Sequence, residues 1–287
     1  MLLSDVYKGS FPLPIDFIPG ATAAWGTRRL RRAYNGHPLE ILRSSDSTAQ
    51  DVPFSGDRLN LGVLTTFVGA STGTVRTLYD QSTAVTARPL TQTTAADQPV
   101  LVSSGTLLTT IGGQPSLSFD GTSQFLLNTA SFSNYIANNA GTILVVFLVD
   151  AINTANANTY DNDAVWGDTQ GFVGLHLHST TPDARTFNFD TTDDKVTQTI
   201  VTSTPYVHIW RHGSGNLDSF LNTKTAATVA SGNTGNLLQQ IRMGKNFSTA
   251  FFDGHIPEMM MWNVALSDVQ IHLLGASVAH HYGIPWS

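Results

Sequence analysis

Apolar positions alternate in short bursts along this chain, and turn residues separate the bursts. Leu39, Ile41 and Arg43 share one face of an extended segment. Thr74–Tyr79 reads as a strand closed by Asp80-Gln81-Ser82, and Leu117-Ser-Phe-Asp-Gly-Thr122 runs a strand into a tight reversal. Phe172–His178, Thr186–Phe189 and Val196–Val201 continue the series. Tyr206, His208 and Trp210 fall on one face of the next strand. His212-Gly-Ser-Gly-Asn216 then turns the chain into Leu217–Leu221, and Asn222-Thr-Lys224 turns it again. Many short strands at such spacing predict a β-sandwich.

Thr142-Ile-Leu-Val-Val-Phe-Leu-Val149 breaks the alternation, because it is apolar throughout. It is far shorter than the roughly 20 residues needed to span a bilayer, so it predicts a central strand buried on both faces. Helical spacing is rarer. Leu30, Ala33 and Tyr34 predict a short helix over Thr27–Tyr34 that Gly36 ends, and Asn60–Val68 predicts another. Near the C-terminus, Ile256, Glu258, Met260, Trp262 and Val264 share one strand face, with Met259 and Met261 opposite. Ser267-Asp-Val-Gln270 then forms a capping box, Ile271, Leu274, Val278 and Tyr282 follow at helical spacing, and Gly283 with Pro285 stops the helix.

Residues 1–22 have neither period. Phe11, Leu13, Ile15, Phe17 and Ile18 are interleaved with Pro12, Pro14 and Pro19, which favour extended chain. The expectation is an N-terminal arm over 1–22, followed by one sandwich over 23–287. The arm's apolar strip is read as an attachment surface for another subunit.

Composition narrows the function classes. Charged residues make up 13% of the chain, against roughly 25% in an average soluble protein. Net charge is -6, so no nucleic-acid partner is expected. There is no cysteine, which excludes disulfides, thiolate metal sites and a cysteine nucleophile. The N-terminus shows no signal-peptide pattern, and no membrane insertion is expected.

Candidate chemistry gathers in one stretch. Tyr160, Asp163, Trp166 and Asp168 combine aromatic faces with carboxylates, the residue types that bind sugars. Asp161, Asp163 and Asp168 supply oxygens of the kind Ca²⁺ takes; no other cofactor is expected. Arg28, Arg29, Arg31 and Arg32 concentrate positive charge, read either as clamps on acidic loops or as a site for an anion or sugar acid. His176 and His178 share a strand face without a third metal ligand.

Asp253-Gly254, Ile256, Glu258, Leu266-Ser267-Asp268 and Tyr282-Gly283 resemble the closing strand and helix of laminin-G-like, concanavalin-type lectin domains. Thr27-Arg28, Tyr34-Asn35-Gly36, Arg43, Ser45-Asp46, Asp51 and Tyr79-Asp80-Gln81-Ser82 resemble the catalytic sandwich of fungal-type α-L-arabinofuranosidases, and are similar to tailed-bacteriophage virion proteins. The resemblance implies an all-β, concanavalin-like jelly roll with a C-terminal helix. Those enzymes carry a vicinal cysteine pair and a central glutamate, whereas this chain has no cysteine and only Glu40 and Glu258. No catalytic residue is therefore expected. The expectation is a non-enzymatic bacteriophage virion protein of capsid-decoration or tail-fibre type. It would fold in the host cytoplasm and assemble with itself and other virion proteins, with a cell-surface glycan as a further ligand. A free carbohydrate-binding adhesin module and an arabinofuranosidase-like hydrolase are the alternatives.

Overall fold

The computed structural model describes residues 12–84, 86–128, 140–152, 163–168, 173–178, 183–189, 193–231, 240–246 and 250–287. The sequence alternation becomes antiparallel strands. The first are β1 (Ala23–Gly26), β2 (Leu39–Arg43), β3 (Ala49–Val52), β4 (Phe54–Ser55), β5 (Arg58–Leu59), β6 (Gly73–Leu78) and β7 (Leu90–Thr91). Next come β8 (Val100–Ser103), β9 (Thr106–Leu107), β10 (Leu117–Asp120), β11 (Leu126–Leu127), β12 (Gly141–Ala151) and β13 (Asp163–Asp168). They are followed by β14 (Val173–His178), β15 (Asp183–Phe189), β16 (Asp193–Thr199), β17 (Pro205–Gly213) and β18 (Asn216–Leu221). The last are β19 (Ala227–Ala230), β20 (Ile241–Met243) and β21 (Asp253–Trp262). The helices are α1 (Pro14–Phe17), α2 (Leu61–Val68) and α3 (Asp268–Tyr282).

The strands form an all-β sandwich. In one layer β12 lies between β17 and β21; β17 continues through β18 to β19, and β21 to β1 and β10. The other layer runs from β3 through β2, β6, β7 and β11 to β20, β13, β14, β15 and β16. β8 pairs with β6 and touches β10, joining the layers.

The apolar run on β12 is explained by what covers it. Ile143, Val145, Phe147 and Val149 enter the core between the layers. Leu144, Val146 and Leu148 point the opposite way into a second core. That second core is closed by Ile271, Leu274, Val278 and Tyr282 of α3. Burying each such side chain is worth about 1.5–3 kcal/mol. The helix starts where the capping box predicts: Ser267 N–H donates to Gln270 Oε1 at 2.9 Å, and Gln270 N–H to Ser267 Oγ at 3.4 Å. Gly283 ends it in the left-handed region at φ 66°.

Two local expectations are corrected. The described part of the N-terminal apolar strip packs on its own sandwich. Ile15 and Ile18 are buried in the second core, Leu13 is buried as well, and Phe17 packs against the same cluster; Phe11 lies outside the described residues. The cause is the apolar outer face of β12 and β21, which α3 covers only in part. Trp262 Nε1 donates to the Ile18 carbonyl at 3.2 Å, fixing the strip in place. Thr27–Tyr34, expected to be a helix, is a loop. Side chains hold it instead: Leu30 N–H donates to Gln81 Oε1 at 2.9 Å, and Gln81 Nε2 donates to the carbonyls of Gly26 and Arg28 at 3.0 Å each. Arg31 donates to the carbonyls of Gln81 and Ser82.

Candidate functional site

Phe125, Arg242, Lys245 and Phe251 converge where β13, β20 and the turn before β11 meet. Gly167 on β13 pairs with Arg242 on β20. A Cβ at Gly167 would sit 3.1 Å from Asn246 Cα, so glycine lets the 244–246 backbone close over the strand. Gly244 makes the turn with φ 84°. The chain then places Lys245 opposite Phe251 in an isolated antiparallel bridge. Lys245 Nζ lies 4.2 Å from the Phe251 ring centroid and 4.8 Å from that of Phe125. The two rings are tilted at 54° with centroids 6.3 Å apart, and all three side chains are half-buried. Burial and Arg242 hold the Lys245 ammonium below its ordinary value, with Asp97 opposing them. Arg242 is lowered by burial, against the pull of Asp168, and donates to the Asn246 carbonyl at 2.7 Å. The result is a small aromatic surface with a partly desolvated cation on it, suited to an apolar sugar face and its hydroxyls.

Sequence reasoning placed the platform one strand too deep. Trp166 is fully buried and meets Trp210 edge-on, with ring centroids 6.4 Å apart at 89°. It is a core residue, and no ring face is open to a glycan. Asp163 and Asp168 are also fully buried. They sit at opposite ends of β13, five residues apart, which is about 16 Å of strand. One calcium ion cannot bridge that distance, so the proposed Asp161, Asp163, Asp168 set is not assembled. Tyr160 and Asp161 lie outside the described residues. Among the described residues no group of three His, Asp or Glu is placed to hold a metal ion. The residues missed were Phe125, Arg242, Lys245 and Phe251. The readable signal was the Phe251-Phe252 pair, in which only the second ring is needed by the core.

The arabinofuranosidase-like signature residues are structural here. Asp80 accepts from the backbone N–H groups of Ala24, Ser82 and Arg88. Arg43 binds Asp46 at 2.6 Å, and the Tyr79 hydroxyl donates to Asp51 at 2.8 Å. Both glutamates are engaged too. Glu40 accepts from Thr77 Oγ1 and lies 3.3 Å from Arg76. Glu258 is fully buried between Arg28, at 2.7 and 2.9 Å, and the Tyr282 hydroxyl, at 2.9 Å.

The fold is an all-β sandwich. No family model matches the chain, and no curated protein matches it. Among solved structures, a GH54 α-L-arabinofuranosidase mutant soaked with 4-nitrophenyl α-L-arabinofuranoside is similar over 94% of this chain and 64% of its own, at 14% identity and TM-score 0.66. A GH54 α-L-arabinofuranosidase soaked with a cyclic sulfate inhibitor is similar over 94% and 64%, at 13% identity and TM-score 0.64. An arabinofuranosidase complexed with arabinofuranosyl-α-1,2-xylobiose is similar over 94% and 65%, at 15% identity and TM-score 0.63. The chain thus spans just under two thirds of the length of each of these proteins. These matches correct the expectation of a bacteriophage virion protein: the three solved folds, each similar over 94% of the chain, are arabinofuranosidases, and none of the three is a particle component.

Proposed function

We propose that the chain is a carbohydrate-recognition sandwich that binds arabinofuranose-bearing glycans at the Phe125–Lys245–Phe251 patch. The observation that carries this reading is the half-buried aromatic pair capped by one ammonium. Its place on a scaffold shared with proteins captured with arabinofuranosides supports the sugar class. Hydrolysis is not part of the proposal. A retaining glycosidase needs two carboxyl groups about 5–5.5 Å apart across one sugar. Glu258 is instead held by Arg28 and Tyr282, and Glu40 by Thr77 beside Arg76.

Calorimetric titration with arabinofuranosyl oligosaccharides, alongside a 4-nitrophenyl α-L-arabinofuranoside assay, tests the proposal. Binding without turnover is expected, and Phe251→Ala should weaken it about tenfold, the equivalent of 1.4 kcal/mol. Binding unaffected by Phe251→Ala and Lys245→Ala would remove the patch from the site. Turnover abolished by Asp168→Asn would move the assignment to a hydrolase.

A further inference from the structure

A cavity lies on another part of the molecule. It has a volume of about 90 Å³ and forms where the loop after β1, the β4–β5 hairpin, the loop before β10 and the end of α3 meet. Its polar lining residues include Arg28, Arg58, His281, Thr109 and Gln114, and Leu59 and Leu61 are among its apolar ones. We propose that this cavity binds a carboxylate, with Arg58 and His281 as its donors and Arg28 as the fixed positive charge behind them.

Three observations support this. First, His281 lines this polar cavity, and its buried Nε2 has no hydrogen-bond partner among the described residues. A buried polar atom of this kind ordinarily has a partner. Second, the charges do not balance. Arg28 is matched by Glu258, whereas Arg58 makes no ion pair among the described residues and stands exposed at the rim. Third, the cavity has room for a ligand: about 90 Å³ is several times the roughly 10–15 Å³ that one water needs.

The groups facing His281 are Arg28, Arg58, His280, Glu258 and Tyr282. Burial lowers the His281 imidazole to about 4, and Arg28 and Arg58 push the same way against Glu258. A bound carboxylate reverses that field. The carboxylate has two sources, a free small acid or the acid group of a uronic acid whose ring stays outside. Either satisfies the same donors.

The test is an NMR pH titration of the His281 ring in the full chain, with sodium acetate, sodium galacturonate, neutral galactose or sodium chloride at matched ionic strength. Acetate or galacturonate should raise the His281 midpoint by about one unit, as an opposite charge at hydrogen-bonding range does. Chloride and galactose should leave it in place. In Arg58→Gln, an exposed position that folding does not need, the carboxylate should bind about tenfold more weakly. Galacturonate acting at much lower concentration than acetate identifies a glycan acid; the reverse identifies a free small acid. An unmoved midpoint in wild type overturns the proposal, as does an equal shift with chloride or undiminished binding in Arg58→Gln. The wild-type titration decides the matter even if a variant misfolds.

Discussion

Arg28 and Glu258 stand 230 positions apart in the chain, yet they form a two-bond ion pair with almost no solvent access. Tyr282 completes it: burial lifts its hydroxyl well above the ordinary range, so it stays protonated and donates to Glu258. Burial works against the charge on Arg28, and Glu258 more than offsets it, leaving the guanidinium above its ordinary value. The pair ties the loop after β1 to β21 and α3 in one step.

Breaking one partner leaves the other charge buried. Arg28→Ala should destabilise the protein by about 3–5 kcal/mol, whereas replacing both by apolar residues of similar volume should cost far less. Urea unfolding of the single and double variants measures this. Equal losses in both would show that the charge is screened by water.

The terminal segment and the helix share one core. Leu274→Ala and Ile18→Ala should each cost about 2–5 kcal/mol, since both side chains are buried there. A loss below half a kcal/mol at Ile18, in the same unfolding measurement, would return the segment to the role of a loose arm.

Acid should weaken the fold through its histidines. Burial holds His208 down at about 3, and burial with Arg28 and Arg58 holds His281 at about 4. Unfolded histidines take up protons near 6.5, so the unfolded state binds more protons below that value. Stability is full above about 6.5 and falls as pH drops towards 4, by up to about 1.4 kcal/mol per pH unit for each histidine. Denaturation midpoints from pH 7.5 to 4 should show this slope, and His208→Gln should reduce it. An identical slope in the variant refutes the assignment.

Gly254 offers a backbone test. Its φ is 153°, and a Cβ there would sit 2.1 Å from the Leu148 carbonyl oxygen. Because the obstacle is backbone in the central strand, Gly254→Ala should cost more than about 3 kcal/mol. Gly20→Ala, which meets nothing within 4 Å, separates steric cost from positive-φ strain. A thermal melt within a degree of wild type at Gly254 would contradict the register.

The sandwich was legible because its signals are local. The unbroken apolar run of β12 predicted burial on both faces, and the Ser267–Gln270 box fixed the start of α3. The failures were of another kind. Thr27–Tyr34 has helical spacing, but Gln81, more than 45 residues away, holds it open. The arm's residues are apolar, but only the pairing of β12 with β21 reveals the groove that takes them. Trp166 and Asp168 looked like loop chemistry because nothing local shows that β13 is interior. The Phe125–Lys245–Phe251 patch joins Phe125 to side chains 120 and 126 positions further on, and only the β11–β20 pairing brings them together.

The second core also bears on how the protein comes to be made. Its walls are Ile15 and Ile18 from one end of the sequence and Leu274 and Val278 from the other. While α3 is still being synthesised, the outer face of β12 lacks the larger part of its cover, and Leu144, Val146 and Leu148 present a sticky ribbon to the cell. Contacts of such long sequence separation form slowly and leave intermediates prone to aggregate. Yield on expression should therefore depend on how quickly the last helix arrives and is shielded, more than on the equilibrium stability of the finished sandwich.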